Sequence, residues 1–295
     1  MTKVAICTVN WNNKKDTEEF LASIKKLDTS SFSVKTFVVS NQKLPNIDII
    51  FKPHNRGTAG GYNDGIKAAL SWGAKYFLLV NNDVVFSDKN LLPELISVLA
   101  GDPSIGAVSP KMYFAPGFAF YRERYSTKDS TRVLWYAGGH FDWANINSVH
   151  RGLDEVDKGR YDTVGPTGFV SGSAMLLPRR VFDQEIFWDE DLFAYYDDND
   201  FQERVTRAGF KLFYNGRTSL FHKVSRTAAI GSPTTDYYTT RNRLIFGLRY
   251  APIRTKLALF RQALTFLVSG RPMQKQGVWD FIFGKRGELG RPKAL

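Results

Sequence analysis

The sequence predicts an α/β protein built on a mostly parallel, Rossmann-like sheet flanked by helices, with a helical, basic extension at its C-terminus. Three observations lead there. Short apolar runs rich in β-branched residues alternate with segments of helical periodicity, which is the pattern of strands covered on both faces. Several of the apolar runs end in a cluster of amides or acids. The balance of charge changes sharply near residue 241.

The elements follow in order. Residues 4–9 read as a buried strand, and 16–27 carry Phe20, Leu21, Ile24 and Leu27 at helical spacing, with Asp16 or Thr17 placed to cap. Further strands are expected at 36–39, 47–51 and 76–80. Between the last two, "NRGTAGGYNDGIKAALSWG" opens on glycines, turns helical through Ile66, Ala69 and Leu70, and stops at Gly73. The stretch 132–170 is rich in glycine, aromatics and short β-like pieces. "FVSGSAMLLPRRVFD" reads as strand, turn and helix start, with Pro178 near the helix N-terminus. A helix at about 198–208 is stopped by Gly209 and followed by a strand, and another helix follows Pro233. No internal repeat or low-complexity linker interrupts the chain.

Composition bounds the class. Of 295 residues, 43% are hydrophobic and 14% aromatic, enough for a large core. The single cysteine, Cys7, lies in the apolar run "VAICTV". It excludes a disulfide framework or a thiolate zinc site and fits a reducing compartment. The N-terminal apolar run is too short for a signal peptide and no apolar run has the length of a membrane span, so a cytoplasmic protein is expected. Net charge is +11, and from Arg241 onward twelve Lys/Arg face only Asp280 and Glu288. Such an end attracts an anionic partner, whether membrane surface, nucleic acid or phosphorylated substrate, or is a solvated face.

In an open α/β sheet, ligands bind beyond the carboxyl ends of the strands. Asn10-Trp11-Asn12, Ser40-Asn41 and Asn81-Asn82-Asp83 would gather along that rim. Asp83 offers a hard oxygen for Mg²⁺ or Mn²⁺, or is an ordinary turn aspartate. Residues 189–200 hold Asp189, Glu190, Asp191, Asp197, Asp198 and Asp200 without a Lys or Arg. This charge costs stability unless a cation, a basic neighbour or proton uptake relieves it. Asp189 to Asp191 suit an exposed helix N-terminus. Aromatics around Asp197 and Asp198 imply partial burial and a candidate general base. His222 follows another apolar run; a lone histidine is more often structural. Gly57, Gly60 and Gly61 would let backbone approach a phosphate or sugar without forming a dinucleotide or Walker motif. Arg241 and Arg243 would clamp a diphosphate or face solvent.

Together "VAICTVNWNN", "NRGTAGGYNDGI", "FLLVNNDVVF", "GFVSGSAMLLPRRVF", "FWDEDLFAYYDDNDFQERVTRAGF", "LFHKVS" and "YYTTRNRLIF" resemble, in order and spacing, bacterial family 2 glycosyltransferases, most closely the rhamnosyltransferase-like branch. The resemblance spans about residues 4–250. It implies a GT-A fold, an inverting hexosyltransferase, a nucleotide-sugar donor, and Mg²⁺ or Mn²⁺. Asn81-Asn82-Asp83 would take the place of the family's Asp-x-Asp motif, so Asp83 and Asn81, with His222, would hold the metal. Asp198 would be the catalytic base, with Asp197, Asp200 and Trp188 shaping the acceptor side. Asn10, Asn41, Asn55, Gly57, Gly60, Gly61, Asn63, Asn82, Arg241 and Arg243 would line the donor site. Asn81 and Ser40 depart from the aspartates common at their positions.

Residues 251–295 are expected to form an extension outside the catalytic domain of 1–250. In "RTKLALFRQALTFLV", Leu257, Phe260, Leu264, Leu267 and Val268 make one apolar stripe. Such a helix suits an enzyme peripheral on the inner membrane face, acting on a polyprenyl-diphosphate-linked glycan or other cell-surface polysaccharide. Alternatively it packs on the catalytic domain or on a second copy in a homodimer. Nucleic acid is not the expected partner. A nucleotide-sugar pyrophosphorylase would need a glycine-rich loop after the first strand, and "TVNWNN" has none. A glycan-binding scaffold with a degenerate site is the remaining alternative.

Overall fold

The computed structural model describes residues 1–44, 47–224 and 232–289. β1 (Thr2–Asn10), β2 (Phe32–Ser40), β3 (Ile49–Phe51) and β4 (Tyr76–Val80) form a parallel block in the order β3-β2-β1-β4. β5 (Val84–Phe86), β6 (Ile105–Phe114), β7 (Leu134–Tyr136), β10 (Val164–Pro166), β11 (Ala174–Pro178) and β12 (Lys211–His222) complete one ten-stranded sheet. β6 and β12 are again parallel, but β11 runs antiparallel between them and the first block, joining β6 to β4. The sheet is thus two parallel pieces welded by a reversed strand. β8 (Gly139–Asp142) and β9 (Asn147–His150) form a separate hairpin.

Strand periodicity explains why the central strands are apolar throughout. Val4 and Ile6 of β1, with Leu78 and Val80 of β4, join one core. Ala5 and Cys7, with Phe77 and Leu79, join the core on the opposite face. Cys7 is buried, and burial pushes its thiol pKa up, as for an inert core residue.

Helix α1 (Lys14–Ile24) begins before the expected cap, because the Asn13 side chain accepts from the Asp16 N–H and closes its first turn. α2 (Gly57–Trp72) ends where expected, with Gly73 left-handed at φ 87° and its N–H on the Ala69 and Leu70 carbonyls. A Cβ on Gly61 would lie 2.6 Å from Val9 Cγ2, so the missing side chain is what seats α2 on β1. α3 (Leu91–Gly101) and the short α4 (Arg179–Phe182) precede α5 (Asp197–Arg207), and Gly209, at φ 93°, follows its end.

The C-terminal helices α6 (Pro233–Tyr250), α7 (Ile253–Ser269) and α8 (Pro272–Ile282) share a further core of Ile146, Leu244, Phe246, Leu259 and Val278. The fully buried Asp280 accepts from Tyr237 Oη at 2.7 Å and Gln276 Nε2 at 2.7 Å. The extension beyond residue 250 is therefore docked on α6. Its expected stripe divides: Leu267 packs inward with Leu259, Ala263 and Phe266, while Leu257, Phe260, Leu264 and Val268 stay exposed. No helix among the described residues is long and apolar enough to cross a membrane. Arg291 and Lys293 lie outside the described residues.

Replacing Gly61 by Ala should cost about 1–3 kcal/mol, the usual penalty for overpacking a tight contact. Urea unfolding of the variant against the parent measures it.

Candidate active site

The carboxyl ends of β1, β2 and β4 meet the C-terminal end of β12 at one rim. β4 closes with the Asn81 N–H donating to the Ser173 carbonyl, and the chain turns through Asn82 and Asp83 into β5. β5 pairs antiparallel with β12, so that His222 lies opposite Val84, and the Lys223 N–H bonds the Asp83 carbonyl at 2.9 Å. This register brings His222 Nε2 to 3.2 Å from Asp83 Oδ1. Both side chains are buried, and His222 Nδ1 has no hydrogen-bond partner.

Across the rim, the chain enters α5 through Phe193, Tyr195 and Tyr196, all left-handed at φ 63–65°. Aromatic residues in this region cost roughly 1–3 kcal/mol each. The turn sets Asp197 and Asp198 at the start of α5. Asp197 is 5% exposed. Burial first, and then the Asp198 charge, push its pKa up to about 8. Asp198 is half-buried and its pKa is also raised by burial, opposed by Asn199, whose backbone and side-chain N–H groups both donate to Oδ1 at 2.8 Å. A Cβ on Gly172 would come 2.7 Å from Asp198 Oδ2, so only glycine leaves room for this carboxylate.

The acid pair lines a cleft of about 270 Å³ together with Tyr62, Asn81, Trp135, His150 and Trp188, and the Trp135 ring lies 5.5 Å from that of His222. The Tyr62 hydroxyl donates to Asn81 Oδ1 at 3.0 Å. Burial and the nearby Asp197, Asp83 and Asp198 hold the Tyr62 pKa well above the ordinary value, so it remains a donor. The indole N–H groups of Trp135 and Trp188 are buried without partners. His150 Nδ1 sits 2.9 Å from the Trp135 carbonyl, and burial lowers its pKa.

A second recess adjoins this cleft, lined by Asn10, Ser40, Asn41, Asn55, Gly57 and Gly61 among others. At its floor Asn10 donates to Ser40 Oγ at 3.0 Å and accepts from Thr17 Oγ1 at 3.0 Å. Asn82 donates to the same threonine at 2.9 Å. Asn41 Oδ1 is buried without a partner, and Asn55 Oδ1 accepts from the Gly57 N–H.

Other expected site residues lie elsewhere. Arg241 has no exposed surface: Nη1 bonds the Gly287 carbonyl, Nη2 bonds those of Asp191 and Leu192, and nothing remains to clamp a diphosphate. Arg243, two residues on, turns to Gln262 and the Asn145 carbonyl. Asn63 is buried and exchanges hydrogen bonds with the Trp188 backbone and Glu190, so it anchors the loop over α2. Gly60 and Gly61 serve close packing against Arg56 and Val9, and Gly57 against the Phe193 carbonyl. Asp200 is turned inward, bonded to Arg204, Arg249 and Tyr250. Asn81 gives its oxygen to the Tyr62 hydroxyl. Asp189 and Glu190 do not begin a helix; they pair with Arg249 and Arg56.

Tyr62, Trp135, His150 and Gly172 escaped the sequence reading. Tyr62 sits inside a quoted motif, and Gly172 inside "SGSA", but their neighbours across the cleft come from distant strands. Nothing local marks Trp135 or His150.

The sheet of mixed strand order thus carries a carboxylate–imidazole pair at its rim and an acid pair in a cleft beside it. The profile described as Glycosyl transferase family 2 matches residues 5–185, and the chain belongs to that family. No curated protein matches the chain in sequence. Among solved structures, it is similar to a mannosyltransferase from Pyrobaculum calidifontis in complex with GDP-Man and Mn²⁺, at 14% identity and TM-score 0.53, over 95% of this chain and 74% of that one. It is similar to S. aureus TarS 1-349 at 14% identity and TM-score 0.54, over 97% and 81%. It is similar to GalNAc-T7 with UDP, GalNAc and Mn²⁺ at 11% identity and TM-score 0.61, over 97% and 55%. These likenesses establish a GT-A-like fold.

The Asp197 pKa gives a pH test. A carboxyl whose folded pKa is raised binds more protons folded than unfolded, so stability falls as pH rises from about 4 to about 8 and then levels. Asp197→Asn should flatten this slope in metal-free protein, as read from Tm at intervals across pH 4–9.

Proposed function

We propose that the chain is an inverting glycosyltransferase that moves a hexose, rhamnose from a dTDP-linked donor being the candidate its motif series favours, onto a hydroxyl of a lipid-linked or cell-surface polysaccharide. The observation that carries this reading is that Asp197 and Asp198 line a cleft whose Trp135 wall packs 5.5 Å from the His222 ring, with Tyr62 within electrostatic reach of Asp83, Asp197 and Asp198.

The donor set of Asp83 and His222 fits a divalent cation of the substrate-bridged kind. Two ligands on adjacent octahedral positions are about 3 Å apart at normal bond lengths, which is the spacing of these atoms. Mg²⁺ and similar ions complete such sites with substrate phosphates and water rather than with more side chains. When bound, the ion supplies Lewis-acid stabilisation of the departing nucleoside diphosphate. Asn41 and Asn55 lie where a nucleotide would reach the second recess, and the orphaned Asn41 oxygen would accept from a base or ribose donor.

Asp198 acts as general base. Asn199 fixes Oδ1, leaving Oδ2 to take the acceptor hydroxyl proton as the alcohol oxygen bonds to the anomeric carbon. The glycosidic carbon–oxygen bond to the diphosphate breaks on the opposite face, so configuration inverts. One carboxylate suffices for this displacement. Burial raises the Asp197 pKa, which favours its protonated form and lessens repulsion within the pair.

The exposed face of α7 supports a membrane-surface acceptor. Phe260 is 62% exposed and Val268 80%, in line with Ile253, Leu257 and Leu264 at helical spacing. Arg254, Lys256 and Arg261 flank them, a cationic rim that matches anionic lipid headgroups.

Asp198→Asn should reduce transfer at least about 100-fold while leaving donor affinity nearly unchanged. Full turnover by that variant, in a nucleoside diphosphate release assay, would remove Asp198 as base. Asp83→Ala should raise the Mn²⁺ and donor concentrations needed for half-saturation; superimposable titrations would place the metal elsewhere. Phe260→Glu should weaken sedimentation with phosphatidylglycerol vesicles about tenfold, given the area a buried phenylalanine removes from water. Binding to neutral and anionic vesicles alike, or a mass that doubles with concentration, would point to another partner for this face.

A further inference from the structure

A cavity of about 440 Å³ lies outside the cleft, between α6, α7 and the β8–β9 hairpin. Its volume falls within the range of about 300–1,000 Å³ common for small-ligand sites. By exposed area the lining is more apolar than polar, and its polar side chains carry little net charge. Asn147, Thr235, Thr239 and Gln262 supply neutral donors and acceptors, and Phe266 supplies an apolar face. Asp236, also in the wall, is held by both Nε and Nη2 of Arg271, which cancels both charges. Arg243 is the remaining cation of the wall; Nη1 and Nη2 are committed to Gln262 and the Asn145 carbonyl, while Nε is buried without a partner. A phosphate would find no free guanidinium fork here. Hydroxyl groups, each able to donate and accept, match amides and threonines, and an aromatic ring matches the C–H face of a pyranose.

The position is as informative as the lining. Only adjacent residues separate this cavity from the catalytic cleft: Asn147 lines the cavity and Ser148 the cleft, Tyr196 the cavity and Tyr195 the cleft. The Tyr195 hydroxyl is 3.0 Å from that of Thr235, and Ser148 Oγ donates to Asn199 Oδ1 at 2.6 Å, the same Asn199 that fixes Asp198. The cavity therefore borders the side of the cleft where the base lies, away from the recess of Asn10 and Asn41.

We propose that this cavity is a second saccharide subsite, holding a neutral sugar unit of the acceptor that is removed from the hydroxyl receiving the new residue. The assignment rests on the glycosyltransferase reading above and adds to it that the enzyme recognises an oligosaccharide rather than a single terminal sugar. It also gives Arg243 a place on the acceptor side.

The test uses the full chain on an array of neutral mono- to pentasaccharides of hexoses, deoxyhexoses and N-acetylhexosamines, alongside Thr239→Trp, which fills the cavity, and Gln262→Ala, which removes one amide without adding bulk. Expected is retention of tri- or longer oligosaccharides by the parent, a loss of about tenfold or more in apparent affinity for Thr239→Trp and a smaller loss for Gln262→Ala. Donor hydrolysis should be unchanged in both variants. Equal retention by parent and variants, retention of monosaccharides alone, or no retention of any oligosaccharide overturns the subsite. Absence of donor hydrolysis in the parent would strike the catalytic proposal instead, while the array would still decide the subsite.

Discussion

Six carboxylates crowd residues 189–200, and the structure depends on how their charge is disposed of. Each kind of relief is present. Arg249 bridges Asp189 and Asp200, with Arg204 also on Asp200, while Arg56 takes Glu190 and links it to Asp64. These pairs lock the loop over α2 and fasten α5 to α6. Among the described residues Asp197 and Asp198 form no ion pair with a basic side chain. Asp197 is buried and Asp198 half-buried at a helix start where protonation is the available relief, and their pKa values rise. Arginines thus take Asp189, Glu190 and Asp200, and leave Asp197 and Asp198 in the wall of the cleft.

Strain is placed at the same point. The left-handed Phe193, Tyr195 and Tyr196 would not persist in an isolated peptide. They are held by surrounding contacts: Asn242 Nδ2 donates to the carbonyls of Leu192, Ala194 and Tyr195, and the Tyr196 hydroxyl bonds the Ile146 carbonyl. The fully buried Arg241 adds its bonds to Asp191 and Leu192. The motif "RNR" thus acts largely as a brace behind the acid pair. Its two arginines diverge because α6 is buried at Arg241 and borders a cavity at Arg243, a difference of burial that the triplet itself does not express.

Much of the fold was legible in the sequence because its causes are local. Continuous apolar runs in β1 and β4 announce strands buried on both faces, Gly73 and Gly209 announce helix ends, and the polar ends of β1, β2 and β4 announce the rim. The reversed β11 was not legible, since an apolar five-residue strand reads the same in either direction. Asp83, Asp198 and the amides of the recess were singled out as candidates from residue type and motif order, whereas Trp135 and His150 reach the cleft only through the packing of β7 and β9.

The sequence by itself determined the alternation of strands and helices, the family, and the stock of amides, acids and histidine from which a site is made. Tertiary structure decided which of these meet. The antiparallel register of β5 on β12 puts His222 beside Asp83, the absence of a side chain at Gly172 admits Asp198, and the turn through Tyr196 faces the acid pair toward the cleft while sending Asp200 to its arginines. The first two are contacts between residues far apart in the chain, and the turn is held by Asn242 from α6, so register and burial set them and neither quantity is written in the residues on either side.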